Sequence, residues 1–164
     1  MIKIKFLLQK NDYLYPIAVF FYRLLKIRWN TISRWANDRF YAYVYFRSSS
    51  LIHSCHITVG LKYLYQKKAH LPHPVGIVIG KNVILGERCN IYQNVTIGVK
   101  SRDIEVYPTI GNNVTIYANS CILGDVSIGD NVIIGSGSFV NSNIPSNAVA
   151  VGCPAKVVKF INSF

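Results

Sequence analysis

The sequence predicts a mainly β chain built as a parallel β-helix, and three observations predict it. From Ile79 onward the chain repeats every six residues: IGKNVI, LGERCN and IYQNVT over 79–96, then IGNNVT, IYANSC, ILGDVS, IGDNVI and IGSGSF over 110–139. Each hexad opens on Ile or Leu, which is not the three-and-four spacing of an amphipathic α-helix. The stretch is rich in Gly, Asn, Val and Ile, residues that suit short strands and tight corners. Repeats of this kind bury their apolar face only against their neighbours, so they stack.

Residues 1–50 read as a basic, aromatic-rich helical segment. Asn11 or Asp12 can start a helix that takes Pro16 into its first turns and runs toward Ile27. Asn30 or Thr31 can cap a second helix, from Ile32 to about Phe46. Nine Lys and Arg stand against Asp12 and Asp38, so this third carries +7 of the chain's +11 at pH 7. Such a balance draws anionic lipid, nucleic acid or a polyanionic cofactor. The dense aromatics, among them Trp29, Trp35, Tyr41, Tyr43 and Tyr45, read first as a face packed on the β-helix or on another subunit, with arginines snorkelling outward. Contact with a membrane interface is the second reading. Nucleic acid is disfavoured, because no recognised binding motif is present. The apolar run Leu14–Leu25 is too short to span hydrocarbon, which takes about 20 residues. With no secretory signal pattern, the chain reads as cytoplasmic, with peripheral contact on the inner membrane face left open through residues 1–50.

Ser48–Ser50 marks the junction, which makes 51–156 the coil domain and 157–164 a C-terminal cap. Three hexads make a coil of 18 residues, giving coils at 73–90, 110–127 and 128–145, with strands ~4.8 Å apart in the stack. The rhythm lapses twice. Residues 61–71, LKYLYQKKAHL, form an irregular excursion, and residues 99–109 form a polar loop pushed out from the stack. Loops on a rigid scaffold are where binding chemistry concentrates. Pro145 and Pro154 end strand pairing.

Cys55, Cys89, Cys121 and Cys153 form no CxxC pair, so structural zinc is not expected. Cys89 and Cys121 fall inside hexads and read as core or corner residues. The histidines form two HxxH pairs, His53/His56 and His70/His73. They could surround a metal, as in a trimeric β-helix hydratase. However, no Asp or Glu stands close in sequence to orient them, and at strand spacing the two members of a pair face opposite ways. No metal site is expected. His73 stands apart, because it sits in HPVGIVIG where the excursion rejoins the hexads. A general base needs fixed geometry and a side chain that titrates near neutrality, which an imidazole at such a corner supplies.

The segment HPVGIVIGKNVILGERCNIYQNVTIG, the later hexads and the closing VGCPAKVV resemble the left-handed β-helix (hexapeptide-repeat) acyltransferases. The likeness covers about residues 54–160 and is to the serine acetyltransferase branch, more closely to the short acetyltransferases of polysaccharide gene clusters. It implies a homotrimer with its active site between subunits and acetyl-coenzyme A as co-substrate, with no cofactor bound permanently. His73 would be the catalytic base of a direct transfer. Gly98, Ala118 and Ser136 would line the pantetheine path, and Lys156 would face the nucleotide phosphates.

Departures from the family shape the acceptor expectation. Pro72 stands where serine acetyltransferases have an aspartate before the histidine, Ser54 replaces a second aspartate, and Val106–Tyr107 replace an Arg–His pair. A short basic segment stands where those enzymes carry a long helical domain. Loss of the aspartate and arginine removes partners for an amino acid's two charges. The expected function is therefore O-acetylation of a saccharide hydroxyl in capsule, O-antigen or exopolysaccharide biosynthesis. Its acceptor would be contacted by Ser54, His56, Arg102, Asp103, Glu105 and Tyr107. Serine O-acetylation in cysteine biosynthesis and a non-catalytic trimeric scaffold are the alternatives.

Overall fold

Every hexad turns its first residue inward. Ile79, Leu85, Ile91, Ile97, Ile110, Ile116, Ile122, Ile128, Ile134, Val140 and Ile144 are all at most 4% exposed. Burying such a side chain fully is worth about 1.5–3 kcal/mol each, which no isolated coil could achieve. The residue two places earlier is buried too, except at Ser142 before Ile144. It is aliphatic at Ile77, Val83, Val95, Val114, Val126 and Val132, a thiol at Cys89 and a hydroxyl at Ser120 and Ser138. The polar exceptions are satisfied: Ser120 Oγ donates to the carbonyls of Tyr117 and Gly135 at 2.7 and 2.9 Å.

The computed structural model describes residues 36, 38–42, 54–101 and 103–161. Its strands are β1 (His56–Ile57), β2 (Val78–Ile79), β3 (Ile84–Leu85), β4 (Asn90–Ile91), β5 (Thr96–Gly98), β6 (Thr109–Ile110) and β7 (Thr115–Ile116). They continue with β8 (Cys121–Leu123), β9 (Ser127–Ile128), β10 (Ile133–Ile134), β11 (Phe139–Val140), β12 (Ala148–Gly152) and β13 (Ala155–Phe160). Among the described residues these form three sheets, the faces of a left-handed β-helix. The first face orders β1-β2-β5-β8-β11, the second β3-β6-β9, and the third β4-β7-β10-β12-β13. All pairings are parallel except β12 with β13. The pairing Val78↔Thr96 advances one coil of 18 residues, whereas Thr96↔Cys121 advances 25. The surplus is the loop, which leaves the stack between the first and second faces.

The excursion at 61–71 is more ordered than its sequence suggests. Leu61–Gln66 is a helix, α1, with Leu61 and Leu64 buried. Its first N–H is capped by Asp38 Oδ1 at 3.2 Å. Asp38 belongs to the helical residues 38–42, which lie inside the helix expected over Ile32–Phe46; most of residues 1–53 lies outside the described residues. Among the described residues the second face has no strand above β3, and α1 takes that place. Tyr63 Oη accepts from Leu85 N–H at 2.9 Å and donates to Leu85 C=O at 3.3 Å, which satisfies the open strand edge. LKYLYQ is too short for a helical periodicity to show in sequence.

Two of the three corners repeat one device. Arg88, Asn113, Asn131 and Asn147 stack before the third face with φ of 54–58°. Asn113 donates to Asn131 and Asn131 to Asn147 at 3.1 and 2.9 Å. Asn94 and Asn119 do the same before the first face, at 3.1 Å. Asparagine tolerates the left-handed conformation and bonds locally, which is why the hexads carry it there.

Candidate active site

The remaining corner, between the first and second faces, breaks the pattern. A groove of about 490 Å³ opens there between the outer side of the first face and the loop. Its wall on the coils includes His56, Thr58, Thr96 and Gly98, and its outer rim is Lys81, Glu105 and Tyr107. Gly80 lets Tyr107 lie flat on the coil, because a Cβ there would run into the tyrosine ring. Glu105 joins the rim together. Lys81 Nζ lies 2.6 Å from its carboxylate, and Tyr107 Oη donates to Oε1 at 3.1 Å. The bonds from Lys81 and then Tyr107 hold the Glu105 carboxyl below its ordinary range. The bond to Glu105 raises the Lys81 ammonium. Partial burial, and then the Glu105 bond, push the Tyr107 phenol up.

Gly98 is informative because the fold does not require it. Its φ is not in the left-handed region, and a Cβ would meet nothing within 4 Å. At Gly86, Gly111 and Gly129, by contrast, a Cβ would strike the next coil. The space before Gly98 is open groove.

His73 lies on the opposite edge of the first face, at the corner that follows the third. It is exposed, with its ring centroid 6.2 Å from that of Tyr92, which sits 5.0 Å from Tyr117. Ser54 clamps its segment: the hydroxyl donates to Pro74 C=O at 3.3 Å, and Gly76 N–H donates to Ser54 C=O at 2.8 Å. Below it on the same corner come Gln93, Ala118 and Ser136, with Asn119 N–H bonded to Gln93 C=O and Gly137 N–H to Ala118 C=O. Among the described residues, Gln93 Oε1 is buried without a hydrogen-bond partner.

The sequence-predicted residues therefore divide. Gly98, His56, Glu105 and Tyr107 share the groove, while His73, Ala118 and Ser136 occupy the other edge of the same face, and Ser54, two residues before His56, clamps the His73 segment. Lys156 is exposed on β13, opposite Val151. Asp103 is exposed on the loop, and Arg102 lies outside the described residues. Sequence reasoning missed Lys81 and Thr58; within IGKNVI, Lys81 has the appearance of any solvated lysine. Cys89 and Cys121 are poor nucleophiles, since burial raises both thiols. Among the described residues, no group of three His, Cys, Asp or Glu could hold a metal, and no helix is long and apolar enough to cross a membrane.

Residues 107–142 match the bacterial transferase hexapeptide family model of six repeats. The chain is 42% identical over 89 residues to a serine acetyltransferase of Synechococcus elongatus, a match covering 54% of this chain and 36% of that one. The serine acetyltransferase of Neisseria gonorrhoeae, solved in complex with serine, superposes with a TM-score of 0.51 at 40% identity, covering 56% of this chain and 37% of that one. A serine acetyltransferase in complex with coenzyme A does so at 0.51 and 33%, covering 55% and 37%. The chain thus spans little more than a third of the length of these relatives.

These relatives overturn the expectation of a saccharide acceptor in surface-polysaccharide biosynthesis, because they are named for serine and none supports the polysaccharide branch. That expectation weighed the departures at Pro72, Ser54, Val106 and Tyr107 and the short segment in place of a long helical domain. The structure supplies opposite charges to the groove from elsewhere, at Lys81 and Glu105.

Proposed function

We propose that this chain is an acetyl-coenzyme A-dependent serine O-acetyltransferase working by direct transfer. The observation that carries it is the groove, in which Gly98 and His56 on a coil with hexapeptide-transferase repeats face Glu105 and Tyr107 on the loop. In this reading the pantetheine arm passes the open space at Gly98, and its nucleotide end reaches the basic strand β13 at Lys156. His73 accepts the proton of the serine hydroxyl as that oxygen attacks the thioester carbonyl. Backbone N–H groups hold the tetrahedral oxyanion. Its collapse breaks the C–S bond, and the departing thiolate recovers the proton from the imidazolium. The products are O-acetylserine and free coenzyme A.

The two halves of the site stand on opposite edges of one face, so the reading joins His73 of one protomer to the groove of the next in a homotrimer. The unpartnered Gln93 oxygen on the His73 corner supports an edge that is completed by something outside the single chain. The catalytic unit in this reading is 51–156, with the reaction taking place in the cytoplasm.

The test is thiol release from acetyl-coenzyme A with L-serine, run on the wild type and on His73→Ala. The proposal expects O-acetylserine in step with thiol, and a loss of roughly 10²–10⁴-fold in the variant with unchanged assembly mass. Rapid quench should trap no acetyl-enzyme. A protein that binds no coenzyme A and transfers to no acceptor is a scaffold, and the proposal fails.

A further inference from the structure

The groove rim presents one cation and one carboxylate side by side, and this matches an acceptor that carries both charges. We infer that Lys81 and Glu105 are the specificity-determining pair for the acceptor, a free 2-amino-3-hydroxy acid, with Glu105 receiving its ammonium and Lys81 its carboxylate. The inference rests on the acyl-transfer reading and assigns the charge recognition that Pro72 and Val106 do not provide.

Three features of the rim carry it. Both side chains line the groove and face each other at 2.6 Å, so opposite charges already share one small volume. Both are more than half exposed, at 58% and 55% of the side chain, so their mutual bond is of the weak, water-screened kind that a ligand can replace. A zwitterion entering between them exchanges one ion pair for two, each a charge-assisted hydrogen bond. Tyr107 gives the arrangement its geometry. Its hydroxyl keeps donating to Glu105 when Lys81 lets go, and its ring is seated on Gly80, so the carboxylate stays aimed at the groove. Pairing charges in this way also discriminates, because an acceptor lacking either charge leaves one partner unmatched.

The experiment compares L-serine, L-serine methyl ester and N-acetyl-L-serine as acceptors, by thiol release, for the full chain and for Glu105→Gln and Lys81→Met. Glu105→Gln is expected to lower kcat/KM for L-serine roughly tenfold more than for N-acetyl-L-serine. Lys81→Met is expected to do the same relative to the methyl ester. Glu105→Asp and Lys81→Arg should restore much of the preference, and coenzyme A affinity should hold in every variant, which separates recognition from misfolding. If each variant lowers all three acceptors equally, or leaves the preferences of the wild type intact, the pair does not read charge and the inference is overturned. If the wild type binds coenzyme A but acetylates no amino acid, the serine reading falls and takes this inference with it.

Discussion

The asparagine-stacked corner and the loop corner belong to the same coils, yet they are built on opposite rules. At the first, Arg88, Asn113, Asn131 and Asn147 repeat one conformation and one side-chain bond from rung to rung. At the second, Gly80, Gly98 and Gly124 share no ladder: Gly80 seats a tyrosine, Gly98 faces open space, and Gly124 takes a φ of 88°. Chemistry that repeats is scaffold. The corner where repetition stops is where the fold leaves room for a ligand.

Substitutions that act on only one side of this contrast sharpen it. The largest effect belongs to the shared interior. Ile122→Ala should cost about 2–5 kcal/mol in denaturant unfolding, because rigid neighbouring coils cannot close on the cavity. A loss well below that range would mean that the stack relaxes more freely than its ladders suggest.

At the loop corner, Gly98→Leu should leave the melting temperature nearly unchanged while weakening coenzyme A binding roughly tenfold by calorimetry. Destabilisation without an affinity change would return Gly98 to the scaffold. At the asparagine corner the pattern should invert. Asn131→Ala should lose about 1 kcal/mol, since alanine dislikes the left-handed conformation and cannot bond along the ladder, and Asn131→Gly should recover part of it. Acceptor kinetics should not respond to either change.

The smallest effect is acid opening of the rim. Because Glu105 titrates below its ordinary value of 4.5, its hold on the loop is complete above that pH and is lost as pH falls through the lowered value. Lys81 is raised above 10.5, so its share is complete below that pH and fades as pH rises through the raised value. Proteolytic nicking of the loop should therefore be flat across neutrality and rise in acid, and Glu105→Gln should remove the pH dependence.

What the sequence disclosed follows from these same contrasts. The interior was legible residue by residue, because burial demands an aliphatic side chain at every hexad start from Ile79 to Ile134. The 18-residue coil and the emergence of the loop were legible for the same reason. Helix α1 was not, since six residues cannot display a helical period, and its role depends on Tyr63 meeting Leu85 across the stack. The candidate groove was half legible. Gly98, Glu105 and Tyr107 came from motif and loop position, whereas Lys81 joins them only through the folded loop. The acceptor argument rested on departures at a few motif positions, and the serine acetyltransferase relatives overturned it.

The central claim is that one catalytic centre is assembled from two corners belonging to different protomers. Complementation tests it directly: His73→Ala protomers and Gly98→Trp protomers, each inactive alone, are unfolded together, refolded as a mixture and assayed for thiol release with L-serine. The account predicts recovery toward about a quarter of wild-type activity, the share of sites that pair an intact histidine with an intact groove. A mixture that stays as inactive as its parents would place both halves in one chain and contradict it.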